Sequence, residues 1–419
     1  MKLSIIIPTL NEANNVRTLL PTIRTVIKKV IPDPADYEIL IVDAHSKDNI
    51  KEICRQNGAR CISVPKGYGV ALSNGIKNAR GEYIITMDAD FSHSPHIIPI
   101  LYSHRDEADF LIASRYVKNG YSSTSLFRRF LSVVLNMTFR FVLDMHPKDL
   151  SSGFRLYNSR IFKEITPTEK NYVVLQEILI KSHAAGFQIK EVPFHYHPRK
   201  HGVSKSRLFT FGKEYLFTLF KFWKLRNSIE CADYDERAFH SRMPLQRYWQ
   251  RKRYHIICDY VKDFQKILDI GCGSSQILDG LPQSIGCDVR LNKLRYKRAP
   301  YRELFEASVY NLPFKDESFE AVIFSEVMEH LPPDREILDE VVRVTEKGGT
   351  IIVGTPDYAT HWKTIEQLYQ FFHPTGYADE HITHYTRKSL IKEMTARNCM
   401  YLEHKYILGA EIIVKFKKE

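Results

Sequence analysis

The sequence predicts an α/β protein of two domains, and three observations lead to this fold class. The chain has 419 residues, which corresponds to about two to three domains of roughly 150 residues each. Short runs of β-branched apolar residues alternate with helical stretches, as in βαβ units around a parallel sheet. This alternation stops and then starts again after Lys266. We therefore expect two separate sheets, in domains spanning residues 1–228 and 229–419.

Continuous apolar runs locate the strands, because strands covered on both faces are apolar throughout. In the first domain they are expected at Ser4–Ile7, Glu38–Val42, Arg60–Val64, Tyr83–Asp88 and Phe110–Ala113. The helices between them include Val16–Val30 and Lys47–Asn57. In the second domain strands are expected at Lys266–Ile270, Gln283–Cys287, Ala321–Phe324 and Gly349–Gly354. A basic, aromatic segment with little strand signal separates the two series, so the junction is expected within residues 227–235.

The composition favours an anion-binding protein of a reducing compartment. The formal net charge is +11, which attracts nucleotides, anionic lipid or nucleic acid. The 7 cysteines are odd in number and contain no Cys-x-x-Cys pair, which favours free thiols in the cytoplasm. No stretch reaches the roughly 18 apolar residues of a membrane span. The opening segment Met1–Leu10 has a strand pattern and no cleavage site, so we do not expect a signal peptide.

Two carboxylates follow the fourth expected strand. Asp88 and Asp90, separated by Ala89, stand where the chain leaves the sheet, which is where open α/β sheets bind ligands. Paired carboxylates suit a hard cation such as Mg2+ or Mn2+ that is completed by phosphate oxygens. Such a cation neutralises a diphosphate leaving group. A solvated Asp-x-Asp turn is also common, so the pair alone leaves both interpretations open.

The motifs around this pair resemble family-2 glycosyltransferases in order and spacing. Ile6–Glu12 resembles their opening strand and loop, Ile41–Asp48 their second strand, and Gly67–Ala71 their glycine-rich stretch. Over residues 1 to about 228 the resemblance implies a GT-A-type nucleotide-sugar-binding α/β domain. Its implied nucleotide-sugar-binding residues are Pro8, Glu12, Asp43, Lys66, Gly67, Asp88, Ala89 and Asp90. Asp88 and Asp90 are the implied metal ligands and catalytic carboxylates, and Asp43 suits either a GDP or a UDP donor.

Further motifs narrow the resemblance to the dolichol-phosphate mannosyltransferase-like branch. They are Ser114–Val117, Asp149, Ser151–Arg155, Glu177, Glu191–Pro193 and Arg199–Lys205. That branch transfers a sugar to a polyprenyl phosphate with inversion at the anomeric carbon. Because the acceptor phosphate is already an anionic nucleophile, it needs cations and no general base. The implied catalytic cations are Arg115, Arg128 and Arg199, and Ser132 and Lys205 complete the acceptor-binding set. For each arginine a surface ion pair is the alternative.

An amphipathic helix is expected at residues 208–226. Its apolar stripe contains Tyr215, Leu216, Leu219, Phe220 and Trp223, and its polar side contains Lys213, Glu214, Thr218, Lys221 and Lys224. A basic helix with aromatic residues on its apolar face suits a membrane interface. Packing on the parent domain is the commoner use of such a stripe, and both interpretations stay open. The membrane interpretation places the protein peripherally on the cytoplasmic face.

A second cofactor motif begins in the restarted pattern. Leu268–Gly273 is a strand that runs into a glycine turn, and Asp288 follows at the end of the next strand. This motif and the segments Asn311–Val322 and Ser325–Leu331 resemble class I S-adenosylmethionine-dependent methyltransferases, which implies a Rossmann-like domain. The implied donor-binding residues are Asp269, Gly271, Gly273, Asp288, Asn311 and Leu312. Ser275 and Ser308 depart from the family pattern, so a domain that only binds the donor or is inactive is the alternative.

The methyl-acceptor side carries ionisable residues. Glu326, Glu329 and His330 resemble a stretch that holds a divalent metal in quinone-type O-methyltransferases, although a local ion pair explains it as well. His330 is the expected catalytic base, because imidazole titrates near neutral pH. His381 and His384 are expected either at the acceptor pocket or in ordinary hydrogen bonds.

Together the motifs predict a bifunctional enzyme with Mg2+ or Mn2+ and S-adenosyl-L-methionine as cofactors. It would move a sugar from a nucleotide sugar to a polyprenyl phosphate and methylate a product of the same glycan or glycolipid pathway. A saccharide acceptor is the alternative, and a membrane or partner adaptor with a degenerate methyltransferase is a third interpretation. Nucleic-acid binding is not expected, because the basic cluster Arg247, Arg251, Lys252 and Arg253 lacks a recognised module. That cluster is interpreted as the solvated face of a helix.

Overall fold

The expected two-domain α/β fold is confirmed by the computed structural model, which describes residues 1–124, 126–197, 212–298, 302–372 and 381–419. The chain divides into two compact units, Met1–Arg226 and Asn227–Glu419. We call them unit 1 and unit 2. The sequence placed the junction two residues later, after residue 228.

Unit 1 is built around a mixed sheet. Its strands are β1 (Leu3–Thr9), β2 (Tyr37–Asp43), β3 (Arg60–Ser63), β4 (Tyr83–Thr86), β5 (Phe110–Ser114), β6 (Tyr121–Ser122), β7 (Arg155–Asn158), β8 (Ile189–Pro193) and β9 (His195–Tyr196). The main sheet has the order β3-β2-β1-β4-β7-β5-β8, and β6 pairs with β9 separately. Only β7 of the main sheet runs antiparallel to its neighbours. The sequence did not predict β7, because it begins with an arginine and is no continuous apolar run.

Helices cover both faces of this sheet. They are α1 (Ala13–Ile27), α2 (Ile50–Gln56), α3 (Tyr68–Asn78), α4 (Ile98–Ser103), α5 (Leu126–Leu143), α6 (Ile161–Glu164), α7 (Val174–Ala184) and α8 (Gly212–Arg226). Helices α1, α2 and α4 pack in one core, and α3, α5, α7 and α8 pack in the other. The carboxyl ends of β1, β2 and β4 remain free for loops that carry polar residues.

The burial of α8 differs from the expected stripe. Thr218, Phe222 and Arg226, spaced four residues apart, are the buried side chains of its described part. Phe220, expected on the packed or membrane-facing stripe, is exposed together with Phe217. The placement of Thr218 on the polar side is therefore wrong.

Arg226 supplies the physical reason for this rotation of α8. Its Nε donates to the carbonyl of Leu143 at 2.8 Å, and its Nη2 donates to that of Asp144 at 3.1 Å. These carbonyls lie at the C-terminal end of α5, where carbonyls have no partner within the helix and need hydrogen-bond donors from elsewhere. The arginine therefore faces inward, and the residues one and two turns before it face the same way.

Unit 2 contains a second seven-stranded sheet. Its strands are β10 (Ile267–Ile270), β11 (Ser284–Asp288), β12 (Leu304–Glu306), β13 (Phe319–Ser325), β14 (Thr345–Pro356), β15 (Cys399–Ile407) and β16 (Glu411–Lys418). The order is β12-β11-β10-β13-β14-β16-β15, with β16 antiparallel to both neighbours. The strand order reverses between β10 and β13, and the crevice at such a switch point is the usual ligand site of an open α/β sheet. The sequence missed β15, whose side chains are mostly exposed.

The helices of unit 2 flank this sheet. They are α9 (Tyr234–Phe239), α10 (Pro244–Val261), α11 (Ile277–Gly280), α12 (Leu291–Lys297), α13 (Arg335–Val344), α14 (Trp362–Phe372) and α15 (Arg387–Thr395). A 3-10 turn, Met328–His330, follows β13. In the described parts of both units, no helix is long and apolar enough to cross a membrane.

Candidate active sites

The nucleotide side of the first site forms where β1 and β2 end. Their register pairs Thr9 with Asp43, so the two loops leave the sheet side by side, just after Pro8. Asp43 is buried, and its carboxylate accepts hydrogen bonds from the backbone and hydroxyl of Ser46. The same hydroxyl oxygen accepts the backbone N–H of Asn11 at 2.8 Å. Asp43 is thus held in place at the common end of two strands.

Two further expected nucleotide contacts border these loops. Glu12 precedes α1 and accepts a hydrogen bond from the side chain of Asn15 at 2.7 Å. Lys66 is exposed and directly precedes Gly67, whose φ is +141°. A Cβ on Gly67 would stand 2.7 Å from the carbonyl of Lys170, so glycine is required at the start of α3.

The carboxylate pair lies directly after β4. Asp90 is buried, and its Oδ1 accepts the backbone N–H of Ser92 at 3.0 Å and the Ser92 hydroxyl at 2.5 Å. The Asp88 side chain is 32% exposed, and its backbone N–H donates to His93 Nδ1 at 2.9 Å. Burial lowers the pKa of His93, so the ring is neutral and can accept this bond. Two oriented carboxylates, one of them open to solvent, fit a hard divalent cation.

A glycine-containing loop, residues 149–154, closes one side of this pair. A Cβ on Gly153 would stand 2.7 Å from Tyr68 Oη and 3.8 Å from Asp88 Oδ1. The Thr86 hydroxyl donates to the Gly153 carbonyl at 2.8 Å. The loop therefore approaches the carboxylates closely because residue 153 lacks a side chain.

Arg155 shapes the same loop, a role that the sequence analysis missed. The side chain is fully buried and donates to the carbonyls of Ser152 (2.6 Å), Leu175 (2.7 Å) and Leu150 (2.9 Å). A buried charge needs such a set of hydrogen bonds. The motif Ser151–Arg155 therefore ends in a residue that folds the loop, and the only sequence signal was an arginine opening a buried strand.

Arg115 is held by a carboxylate. Its Nε and Nη2 donate to the two oxygens of Asp149 at 2.8 and 2.7 Å, and Nη2 also reaches the Ser151 hydroxyl at 2.8 Å. Burial opposes ionisation of Asp149, but the Arg115 charge and its hydrogen bonds outweigh this and lower the Asp149 pKa. Among the described residues Nη1 has no hydrogen-bond partner. Only the Nη1 edge of the Arg115 guanidinium is therefore available to a ligand, whereas the sequence predicted that the entire guanidinium would be available.

Ser132 joins α5 to this cluster. Its hydroxyl accepts from Tyr116 Oη at 2.9 Å, and its carbonyl accepts from Asn136 Nδ2 at 2.9 Å. The Asn136 amide oxygen in turn accepts the backbone N–H of Leu150 at 3.0 Å. The residue expected to bind the acceptor is therefore tied to the loop that borders the carboxylate pair.

The remaining expected acceptor cations are not described. Arg128 is on α5 about one turn before Ser132, but its side chain lies outside the described part of the chain. Arg199 and Lys205 also lie outside the described residues.

The second site begins at the glycine loop after β10. Gly271 and Gly273 have φ of +69° and +53°, a region that residues with a Cβ disfavour. A Cβ on Gly271 would stand 2.3 Å from Val327 Cγ2, and one on Gly273 would stand 2.5 Å from Asp235 Oδ2. Both positions therefore require glycine. Ser275 has no positive φ, and its hydroxyl accepts the backbone N–H of Ile277 at 3.1 Å, so this departure from the family pattern leaves the loop intact.

Two aspartates face this loop. Asp288 accepts the backbone N–H of Gly273 at 2.8 Å through Oδ2 and that of Arg290 at 2.7 Å through Oδ1. Asp269 is buried, and its Oδ2 has no hydrogen-bond partner among the described residues. Burial and the negative charge of Asp288 raise the pKa of Asp269 to about 8. An unpaired buried carboxyl of this kind suits a cationic ligand group.

A cavity of about 840 Å³ connects the glycine loop to the ionisable residues. Asp269, Gly271, Gly273 and Asp288 all line it. Asn311 and Leu312 do not line it; the wall at this place is formed by residues 307–310. Leu312 instead is buried, with its N–H donated to a side-chain oxygen of Glu340 at 2.9 Å.

The cavity also contains two histidines in oriented positions. His381 Nδ1 lies 2.9 Å from both Glu366 Oε1 and Tyr358 Oη, and the His381 ring lies 5.0 Å from that of His330. Ligand atoms of Glu329, His330 and His381 all lie within 4.8 Å of one another, so these three residues could hold a divalent metal.

The three residues that could hold a metal differ from the three that the sequence predicted. Glu326 is paired with Arg253 at 2.9 Å, and Arg253 also binds Glu411 at 2.7 Å. Burial raises the pKa of Glu329. His381 thus takes the place that the sequence analysis gave to Glu326. His384 stacks on Tyr358, with ring centroids 4.0 Å apart, and does not line the cavity.

Each unit is therefore an α/β domain whose candidate site lies at the carboxyl ends of its strands, where open α/β sheets bind ligands. Residues 4–166 match the model of Glycosyl transferase family 2, and residues 268–353 match a Methyltransferase domain model. The chain carries a family-2 glycosyltransferase domain followed by a methyltransferase domain, which confirms the resemblance read from the motifs.

Curated relatives match about half of the chain. Dolichol-phosphate mannosyltransferase of Pyrococcus furiosus is 31% identical over 243 residues, covering 55% of this chain and 66% of the relative. A low-salt glycan biosynthesis hexosyltransferase of Haloferax volcanii is 28% identical, covering 47% and 48%. Dodecaprenyl-phosphate galacturonate synthase of Rhizobium johnstonii is 27% identical, covering 49% and 62%. The chain thus spans between about half and two thirds of the length of these relatives.

Solved structures match each unit at low identity. Glucosyl-3-phosphoglycerate synthase from Mycobacterium tuberculosis has a TM-score of 0.42 at 18% identity, covering 53% of this chain and 79% of that one. A SAM-dependent methyltransferase from Thermotoga maritima has a TM-score of 0.37 at 19% identity, covering 44% and 94%.

Proposed function

We propose that the chain is a bifunctional enzyme. Unit 1 transfers a sugar, with inversion, from a GDP- or UDP-linked donor to a polyprenyl phosphate. Unit 2 transfers a methyl group from S-adenosylmethionine to a product of the same glycan or glycolipid pathway. The observation that carries the proposal is the oriented pair Asp88 and Asp90 beside the loop that binds Arg115. Two of the curated relatives described above are named for transfer to a polyprenyl-type phosphate.

Asp88 and Asp90 bind Mg2+ or Mn2+ in this proposal. Oxygen ligands, one buried and oriented by Ser92 and one open to solvent, are the donor set that such cations prefer. When bound, the cation neutralises the charge that develops on the diphosphate leaving group. Asp43, fixed by Ser46, holds the nucleoside at the neighbouring strand ends.

The acceptor phosphate attacks the anomeric carbon directly, so unit 1 supplies no general base in this proposal. Arg115 positions the phosphate through its free guanidinium edge, while Asp149 fixes the plane of the group. Arg128, Arg199 and Lys205 supply the further positive charge that two anionic substrates need.

Two neighbouring helices of unit 1 expose apolar side chains that suit a lipid acceptor. On α5, Phe130, Met137 and Phe141 are 61–69% exposed and lie on one helical face. On α8, which packs on α5, Phe217 and Phe220 are 72% and 55% exposed. Exposed apolar side chains in such number suit the membrane interface. We propose that this surface holds unit 1 on the membrane in which the polyprenyl phosphate lies, on its cytoplasmic face.

Unit 2 holds the methyl donor between its glycine loop and Asp288. The glycines let the backbone approach the ligand, Asp288 accepts from the ribose hydroxyls, and Asp269 faces the cationic part of the donor. His330, which lines the same cavity, takes the proton of the acceptor hydroxyl. His381, oriented by Glu366 and Tyr358, completes the acceptor side.

The affinity for S-adenosylmethionine is expected to rise with pH below pH 8. Asp269 has a raised pKa of about 8 in the free protein, so at pH 6 to 7 it must lose a proton to face a cation. In this window the ionised fraction rises about tenfold per pH unit, and the dissociation constant should fall by up to that factor. Calorimetry in buffers of different ionisation enthalpy should detect proton release. Asp269→Asn should abolish both effects; a variant with the same pH dependence as the wild type would contradict this assignment.

A double-label experiment tests the proposed function. The protein is mixed with Mn2+ or Mg2+, a polyprenyl phosphate, a panel of nucleotide sugars labelled in the sugar, and methyl-labelled S-adenosylmethionine. We expect sugar label in the organic phase, followed by methyl label in the same phase. Sugar label without methyl label would refute the shared pathway. No sugar label with any donor, despite binding of a nucleotide sugar, would exclude the lipid phosphate and leave a saccharide as the acceptor.

A further inference from the structure

One face of α10 in unit 2 is exposed and strongly basic. Pro244, Arg247, Tyr248, Arg251, Lys252 and His255 recur at the spacing of one helical face and line a shallow cavity of about 330 Å³. We call these six residues the α10 face. From the sequence alone, its cations are expected only to form the solvated face of a helix.

The cations of the α10 face are not neutralised by the protein. Arg247, Arg251 and Lys252 have no carboxylate partner among the described residues, whereas the next residue, Arg253, is turned inward to Glu411. The chain contains no Asp or Glu from residue 237 to residue 258. Arg251 lies over the ring of Phe239, with its guanidinium carbon 5.5 Å from the ring centroid. The surface therefore presents a local positive charge that attracts anions.

Apolar side chains accompany these cations. Met243, Leu245 and Tyr248 are between 49% and 63% exposed. Met243 and Leu245 also line the large cavity that contains the glycine loop and His330. The basic face, the exposed apolar residues and the mouth of the proposed methyl-transfer cavity are therefore continuous.

We propose that the α10 face and its apolar flank bind an anionic membrane surface, and that the methyl acceptor reaches the cavity of unit 2 from that surface. Unpaired cations bind lipid phosphates, and the adjacent apolar side chains enter the interface, which is the usual composition of a membrane-surface helix. A nucleic acid would use the cations but would leave Met243 and Leu245 without a role. Only the identity of the acceptor rests on the proposed methyl transfer; membrane binding does not.

The test measures binding of the full-length chain to vesicles of phosphatidylcholine with and without phosphatidylglycerol. The variant Arg247→Gln/Arg251→Gln/Lys252→Gln removes three charges from the α10 face. At roughly fivefold per cation, binding to the anionic vesicles should fall about 100-fold. The matched control Lys347→Gln/Lys388→Gln/Lys392→Gln removes three exposed lysines elsewhere on unit 2 and should bind about as the parent does.

The apolar surface proposed for unit 1 is weakened to the same extent in every protein of the comparison. The parent, the α10 variant and the lysine control therefore all carry Phe141→Ser, Phe217→Ser and Phe220→Ser. Binding of S-adenosylmethionine or thermal melting verifies that each protein is folded. Equal binding by the two triple variants would overturn the proposal. RNA binding of the same variants is measured in parallel. If the variant without the three α10 cations loses RNA binding but keeps vesicle binding, the proposal is overturned and the face is assigned to nucleic acid. Vesicle binding that depends on the α10 face, without methyl label in lipid, would retain the membrane surface and reject the methyl acceptor.

Discussion

Asp90→Asn is expected to lower sugar transfer by about a thousandfold or more, because charge stabilisation by a bound cation contributes several kcal/mol. Asparagine has nearly the same size and keeps an oxygen that accepts from the backbone and hydroxyl of Ser92. The substitution therefore removes the charge while it preserves the local hydrogen bonds. The measurement is the initial rate of sugar transfer at saturating Mn2+ and Mg2+.

The matched control for this prediction is Glu52→Gln. Glu52 is a carboxylate on α2 whose partners are Arg55 and Gln56 of the same helix, so its loss should leave the rate within about twofold. Asp90→Asn should still bind S-adenosylmethionine, because unit 2 has its own sheet and core. A rate for Asp90→Asn within about tenfold of the wild type would refute the metal site, since a lost metal contact costs more.

Asp288→Asn is expected to weaken S-adenosylmethionine binding by about 100-fold or more. Each hydrogen bond to a charged group contributes about 1.5–3 kcal/mol, and the carboxylate is expected to accept from both ribose hydroxyls. The asparagine amide can accept through one atom only, and its NH2 group faces either the N–H of Gly273 or that of Arg290. The loop and the ligand therefore both lose an acceptor. Titration calorimetry measures the dissociation constant directly.

Asp263→Asn is the control for the second prediction. Asp263 is an exposed carboxylate just after α10 and does not line the cavity. The affinity of Asp263→Asn for the donor should therefore match that of the wild type. Sugar transfer by Asp288→Asn should also remain. Unchanged donor affinity in Asp288→Asn would contradict the ribose contact. No donor binding by the wild type would instead support the alternative of an adaptor without a donor site.

Much of both sites could be predicted from the sequence because it depends on local patterns. Apolar runs indicated where β1, β2, β4, β10 and β11 end, and the residues that follow a parallel strand reach one edge of the sheet. The sequence therefore predicted Asp88, Asp90 and the glycines before Asp288 at strand ends, and the family resemblance pointed to Asp43. Chain order is sufficient for such residues, because each is positioned by the strand that precedes it.

Contacts between distant parts of the chain could not be predicted in this way. The pairing of Arg115 with Asp149 joins residues on separate elements, and the sequence showed only two charged side chains. The rotation of α8 was likewise decided by Arg226, which meets carbonyls at the end of α5. A helical stripe shows which residues share a face, but packing determines which face is buried.

The sequence by itself determined the two α/β domains, the resemblance of each to its family, and the carboxylates and glycines at the strand ends. Only the tertiary structure decided how the second cavity is completed. It placed Glu366 beside His381 and His381 near His330, and it gave Glu326 to Arg253. The physical reason is that local backbone preferences form strands and turns, whereas burial and hydrogen bonding between remote segments select the partners of each ionisable side chain.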